Sequence, residues 1–202
     1  MKGPYTLLIL AGGQSRRMGE DKAKLKIGGV TFTERIAGAF PDAAEVVVSF
    51  SGEAGEVPAG AKTVTDRYPG AGPLAGIQSG LAAAANDLIF VTACDMPLMD
   101  EAFAKKLLAA MPEEGLAVVS REEGGRVHPL AGWYRRGAEP TARRLLEQGE
   151  RRMMRFLEAI GSAVVPAAPE EAGKLRNVND PGEYRALLEL LQGAGEDPAG
   201  EI

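Results

Sequence analysis

Apolar residues in this chain fall in short blocks, separated by stretches rich in Gly, Pro and charge. Tyr5 to Leu10 is an almost unbroken apolar run, the pattern of a strand buried on both faces. Glu45 to Phe50, with Val46-Val47-Val48 at its centre, and Leu88 to Ala93 repeat that pattern; Lys62 to Thr65 is a shorter strand that ends at Asp66. Residues 24–27 alternate, and Gly28-Gly29 turns the chain. Thr31, with Glu34 three residues on, predicts a capping box for a helix that ends near Phe40 and is stopped by Pro41. A second helix is expected over about 74–85. A third, capped by Asp100, carries Phe103, Leu107 and Met111 on one side and ends at Pro112. Further on, 116–120 and 127–134 read as strands around the turn 122–125, followed by helices over about 138–148 and 151–160 and a short strand from Ala163 to Pro166. Asp180, Pro181 and Glu183 are the start signals of a last helix ending near Gln192.

Strands that alternate with helices of this length predict an α/β fold: a single three-layer domain over 1–192, with a mostly parallel twisted sheet and helices on both faces. The polar, Gly- and Pro-containing stretch 193–202 is expected to be a disordered tail. In such sheets ligands lie beyond the carboxyl ends of the strands. The loop after the first strand, Asp66 and Asp95 each directly follow a predicted strand, so all three are expected on one edge.

That first loop is chemically dense. Leu10-Ala11-Gly12-Gly13 opens it, and Arg16, Arg17, Gly19, Asp21 and Lys22 follow. Glycines let backbone N–H groups approach an anion closely, and the cations add full charges, so the loop reads as a polyphosphate cradle. It is neither a Walker A loop, because Gly19 is followed by Glu20, nor a G-x-G-x-x-G fingerprint.

The chain has 202 residues, 45% hydrophobic and 25% charged, with a net charge of −5. An acidic balance argues against nucleic acid as a partner, so phosphate binding has to come from local cations. One cysteine, Cys94, excludes an internal disulfide and a thiolate metal cluster, and suits a reducing compartment. The apolar run after Lys2 is short for a signal-peptide core, and no stretch approaches the roughly 18 apolar residues of a membrane span. The expectation is a soluble, cytoplasmic protein with no membrane partner.

Asp95, at the end of an apolar strand in V-T-A-C-D-M-P, is costly there unless it binds something. Mg²⁺, which shares oxygen ligands with phosphates, is the natural candidate; a helix cap is the alternative. Asp66 could touch a metal, a ribose or a base, or simply start a turn. The stretch Gly72, Pro73, Leu74, Ala75 and Gly76 offers backbone groups to a flat ligand such as a base and also forms a loop-to-helix junction. Asn177 and Asn179 precede the last helix and could cap it; Asn179 is also a second metal-ligand candidate. His128, the only histidine, rules against a metal cluster or a catalytic triad and leaves a substrate contact or a structural role. Arg151 and Arg152 could bind an acceptor phosphate or form a solvated face.

Taken in order, L-A-G-G-Q-S-R-R-M-G-E-D-K-A, Asp66, G-P-L-A-G, C-D-M-P, H-P-L, G-E-R-R and N-V-N resemble the molybdenum cofactor guanylyltransferases. The resemblance spans Leu10 to about Tyr184. It implies a Rossmann-like nucleotidyltransferase fold and transfer of GMP from Mg-GTP to the terminal phosphate of molybdopterin, with pyrophosphate leaving. By position it implies that Leu10, Ala11, Gly12 and Lys22 hold GTP, that Asp66 contacts the nucleotide, and that Asp95 is the Mg²⁺ ligand. Arg16 and Lys22 would stabilise the departing pyrophosphate. It also implies encounters with molybdenum-insertion proteins and apo-molybdoenzymes. Family members often carry asparagine at the end of the second strand, where this chain has Ser49. A cytidylyltransferase or sugar-nucleotide transferase of the same fold, and a non-catalytic nucleotide or cofactor carrier, are the competing readings.

Overall fold

A computed structural model of the chain describes residues 3–12 and 25–193. The strands are β1 Tyr5–Leu10, β2 Lys26–Ile27, β3 Val30–Thr31, β4 Glu45–Phe50, β5 Lys62–Thr65, β6 Leu88–Ala93, β7 Ala117–Arg121, β8 Val127–Arg135 and β9 Ala163–Pro166. The helices are α1 Phe32–Gly38, α2 Pro73–Ala83, α3 Glu101–Leu108, α4 Glu139–Glu147, α5 Met153–Ala159 and α6 Pro181–Gly193. The tail expected over 193–202 lies outside the described residues, apart from Gly193, which closes α6.

Side chains alternate across β1 as the pleat requires. Leu8 and Leu10 join the core on one face, with Leu74 and Ile77 of α2, Ala142 of α4 and Phe156 of α5. Tyr5, Leu7 and Ile9 join the core on the other, with Ile36 of α1 and Phe103 and Leu107 of α3. Both faces of the sheet are therefore covered, giving three layers. Burying each of Leu7, Leu8 and Ile9, all at 0% exposure, contributes about 1.5–3 kcal/mol.

Among the described residues the main sheet has seven strands in the order β5-β4-β1-β6-β8-β7-β9. β1 pairs in parallel with both β4 and β6, and β4 pairs in parallel with β5. β8 runs antiparallel to β6 and β7, and β9 is parallel to β7. The chain leaves β1 toward β4 and β5, then returns to the other side of β1 as β6. This reversal opens a crevice at the carboxyl end of β1, where open α/β sheets take their ligands.

The start signals act locally as their chemistry predicts. Thr31 Oγ1 accepts from Glu34 N at 3.2 Å while Thr31 N donates to Glu34 Oε2 at 2.8 Å, closing the box on α1. Asp180 Oδ1 accepts from the N–H groups of Gly182 and Glu183, but the Glu183 carboxylate takes the N–H of Asn179 rather than that of the cap. The helix expected from 151 starts at Met153 instead. The Glu150 carboxylate accepts from the N–H groups of Arg151 and Arg152 at 2.9 and 3.0 Å and holds that stretch extended. β8 bulges against β7: Val119 faces Gly132, yet Ser120 faces His128, so Pro129 to Ala131 drop out of the pairing. A third small core, of Leu25, Ile27, Phe32, Val178, Leu187 and Leu191, ties β2 and the start of α1 to α6.

Candidate active site

A cleft of about 730 Å³ opens at the switch point. Its walls come from the ends of β1, β4 and β6, the loop after β5, the first turn of α2, Leu130 in the β8 bulge, and Asn177. Leu10, Ala11 and Gly12 line it from β1. The loop is held from both sides: Ala11 N donates to Ser49 O at 2.8 Å, and Cys94 N donates to Leu10 O at 3.0 Å. A Cβ on Gly12 would lie 2.8 Å from Ser51 Oγ, so the close approach of the two loops needs a glycine.

Asp66 follows β5 and is almost fully buried at the cleft wall. Its N–H donates to Phe50 O at 2.8 Å, and its Oδ1 accepts from Ser49 Oγ at 2.9 Å. Burial raises the Asp66 pKa above the ordinary aspartate value, and the Ser49 hydroxyl works in the opposite direction. Gly76 of α2 closes the group: a Cβ there would stand 3.0 Å from Leu10 Cδ2 and 3.4 Å from Asp66 Oδ1.

α2 begins on Gly72, whose φ of 73° suits glycine, with Pro73 at the first helical position. Gly72 offers no side-chain cap, so the first-turn N–H groups lack one where Gly72, Pro73 and Gly76 line the cleft. Such a helix end favours negative charge.

On the opposite wall Asp95 follows β6. Asn177 Nδ2 donates to Asp95 Oδ1 at 3.3 Å, and Val178 N donates to Asp95 O at 2.8 Å, so the strand end and the approach to α6 are bound together. Among the described residues no three His, Cys, Asp or Glu side chains are grouped to hold a metal ion. Substrate phosphates and water would supply further ligands to a divalent ion on Asp95, which is how Mg²⁺ is usually held. The half-buried Asp95 carboxylate beside the Asn177 amide fits that chemistry.

The cleft thus unites Leu10, Ala11, Gly12, Asp66, Gly72, Pro73, Asp95 and Asn177. Arg151 reaches its rim, donating from Nη1 to the carbonyl of Gly70 at 3.3 Å. Other expected residues stand apart. The Leu74 side chain is fully buried in the core under α2. Arg152 folds onto Glu150. Asn179 is exposed and is not among the residues lining the cleft. His128 is buried beside the bulge, its Nε2 3.5 Å from Glu122 Oε2 without a hydrogen bond, and it does not line the cleft either. Burial lowers its pKa. Gly13, Arg16 and Lys22 lie outside the described residues. Gly76 lines the cleft with Gly72 and Pro73, and Ser49 lines it from the end of β4. Ser51, Gly52, Gly70, Ala93, Cys94 and Leu130 complete the walls without having been expected there; position just beyond a strand end was the available signal for Ser51.

Comparison with known proteins identifies the family. Residues 7–164 match the MobA-like NTP transferase domain. The chain belongs to this family and is a nucleotidyltransferase of the molybdenum cofactor guanylyltransferase group. A probable molybdenum cofactor guanylyltransferase of Opitutus terrae is 39% identical over 186 residues, covering 86% of this chain and 89% of the relative. The molybdenum cofactor guanylyltransferase of Rhodobacter capsulatus is 33% identical over 193 residues, covering 93% and 97%. The crystal structure of molybdopterin-guanine dinucleotide biosynthesis protein A from Archaeoglobus fulgidus superposes with a TM-score of 0.75 at 21% identity, covering 93% of this chain and 99% of that one, a likeness of fold. In the described residues no helix is long and apolar enough to cross a membrane.

Proposed function

We propose that the chain transfers GMP from Mg-GTP to the terminal phosphate of a molybdopterin-type cofactor and releases pyrophosphate. The observation that carries this reading is the meeting of the β1 loop, Asp66 and Asp95 in one cleft at the switch point. The names of the relatives support guanosine as the nucleoside and the molybdenum cofactor as the acceptor. The work would fall in the cytoplasm, where the insertion proteins and apo-molybdoenzymes that the product serves would be met.

An oxygen of the acceptor phosphate attacks the α-phosphorus of GTP. The bond from that phosphorus to the oxygen it shares with the β-phosphate breaks, and pyrophosphate leaves with the electron pair. The acceptor is already an anion at neutral pH, so no strong general base is needed. Catalysis is then positioning plus neutralisation of charge. The β1 loop and the first turn of α2 place the nucleotide, and Asp66 contacts its nucleoside. Arg16 and Lys22 stabilise the departing pyrophosphate. Asp95 would hold Mg²⁺, which when bound supplies charge neutralisation at the phosphates, and Asn177 orients the Asp95 carboxylate. Arg151 at the rim is the acceptor-side cation.

Asp95→Asn tests the assignment. Turnover should fall by roughly 10²–10³, the size of one lost electrostatic stabiliser, with part of the GTP affinity kept. Delivery of bound cofactor at close to the wild-type rate in that variant would instead identify a carrier.

A further inference from the structure

Ser49 binds the two halves of the nucleotide site at once. It sits in β4 opposite Leu10 in the parallel register, and its carbonyl accepts the Ala11 N–H of the β1 loop at 2.8 Å. Its hydroxyl donates to Asp66 Oδ1 at 2.9 Å. Ser49 is 1% exposed and Asp66 8% exposed, so both groups are shielded from bulk water, where a hydrogen bond to a carboxylate is strong and its loss is costly. Space for the pair is made by the missing side chain of Gly76, where a Cβ would come within 3.5 Å of Ser49 Oγ and 3.4 Å of Asp66 Oδ1. Three elements, β4, the loop after β5 and α2, therefore converge on one bond.

A serine hydroxyl carries one proton, and here that proton goes to Asp66. It is not available for donation to a ligand. What the bond does is fix the rotation of the carboxylate, which otherwise turns freely about its last torsion. A carboxylate is an acceptor only, so its partner in the cleft has to be a donor: a ring N–H or amino group of the base, or a ribose hydroxyl.

We propose that Ser49 is a positioning residue for nucleoside selection, holding the Asp66 carboxylate in the one orientation that accepts a nucleoside donor. The inference rests on the nucleotidyltransferase reading of the cleft and adds a role for a side chain that would otherwise pass for a shortened ligand contact. Ser49 acts through Asp66, so its effect disappears when Asp66 is gone.

The test is a double-mutant cycle on nucleotide binding, read by calorimetry with Mg²⁺ and GTP, inosine triphosphate or 2′-deoxy-GTP. Ser49→Ala should weaken GTP binding about ten- to a hundredfold, the scale of a lost hydrogen bond to a charged group. It should also flatten whichever preference the wild type shows: GTP over the inosine analogue if the donor is the 2-amino group, GTP over the deoxy analogue if it is the ribose hydroxyl. Adding Ser49→Ala to Asp66→Ala should cost nothing further. Ser49→Thr, which keeps the hydroxyl, should bind as the wild type does. Ser49→Cys, a weak donor that keeps the space filled, should follow alanine and serves if the alanine variant does not fold. Turnover at saturating GTP should change little, so the effect is in KM. Equal losses from Ser49→Ala with and without Asp66, or an unchanged preference in a folded variant, overturn the proposal. If the wild type is indifferent to both, N1-methyl-GTP and 3′-deoxy-GTP test the ring N–H and the 3′-hydroxyl, and indifference to all four analogues overturns the proposal as well. Absence of pyrophosphate release while GTP binding still depends on Ser49 would refute the transfer reaction and leave this inference standing.

Discussion

Replacing Gly80 with alanine sets two opposed effects against each other at a position where their sizes can be compared. Gly80 lies in α2 above Leu8 of β1, which is fully buried between Val47 of β4 and Val91 of β6. An added Cβ would stand 2.2 Å from Leu8 Cδ2, 2.5 Å from Cδ1 and 2.9 Å from Cγ. Carbon atoms rest about 3.5–4.0 Å apart, so α2 or Leu8 has to retreat by roughly 1 Å. Leu8 has no free space to turn into, and overpacking of this kind costs about 1–3 kcal/mol. Against it, alanine is the better helix former by about 0.8–1.0 kcal/mol. With three Leu8 carbons inside 3.0 Å the overpacking cost falls at the upper end of that range, about 2–3 kcal/mol, so the clash should win by about 1–2 kcal/mol, a fall in Tm of about 2–8 °C at this chain length. Because the first turn of α2 lines the cleft, GTP affinity should fall too. Urea denaturation and nucleotide titration measure both. An unchanged or raised Tm would refute the close packing of α2 on β1.

Gly12→Ala should weaken nucleotide binding at least tenfold, because its Cβ would strike Ser51 and push the β1 loop into the cleft; titration with GTP measures this. Tyr5→Phe removes the hydroxyl that donates to the buried Glu101 carboxylate; Lys105 at 2.9 Å and the Asp42 N–H at 3.3 Å remain. The expected loss is about 1–3 kcal/mol in urea denaturation, and a loss within error would contradict the network. His128 has its folded pKa lowered by burial, so the unfolded chain binds more protons between the folded pKa and the unperturbed 6.5. Stability should therefore fall as pH drops below about 6.5 and through the folded pKa, and His128→Asn should remove that part of the dependence, measured by Tm against pH.

The parallel half of the fold was legible because its signals are local. Buried strands read as apolar runs, and the Thr31 box and the Asp100 cap appear within four residues. That same logic placed Asp66 and Asp95 on one edge. What stayed hidden depends on pairs of residues distant in sequence. The bulge that turns Leu130 into the cleft arises from a register shift against β7. The extended conformation at Arg151 and Arg152 comes from a carboxylate, Glu150, that reads in sequence as one more charge in a run. Asn177 reaches the Asp95 carboxylate because the strand end and the α6 approach are joined backbone to backbone at Val178. Ser49 could be singled out by its place at a strand end, but its partner, 17 residues away, could not.

The most direct test of the central claim is nucleotide-dependent pyrophosphate release. Purified protein is incubated with Mg²⁺, molybdopterin-type cofactor and, separately, GTP, CTP, ATP and UTP. The account predicts release with GTP, dependent on the acceptor and lost in Asp95→Asn. Release with CTP instead would contradict the assignment of guanosine while keeping the cleft and its chemistry. No release with any nucleotide, from protein that binds GTP and an acceptor shown to be competent, would contradict the transfer reaction itself.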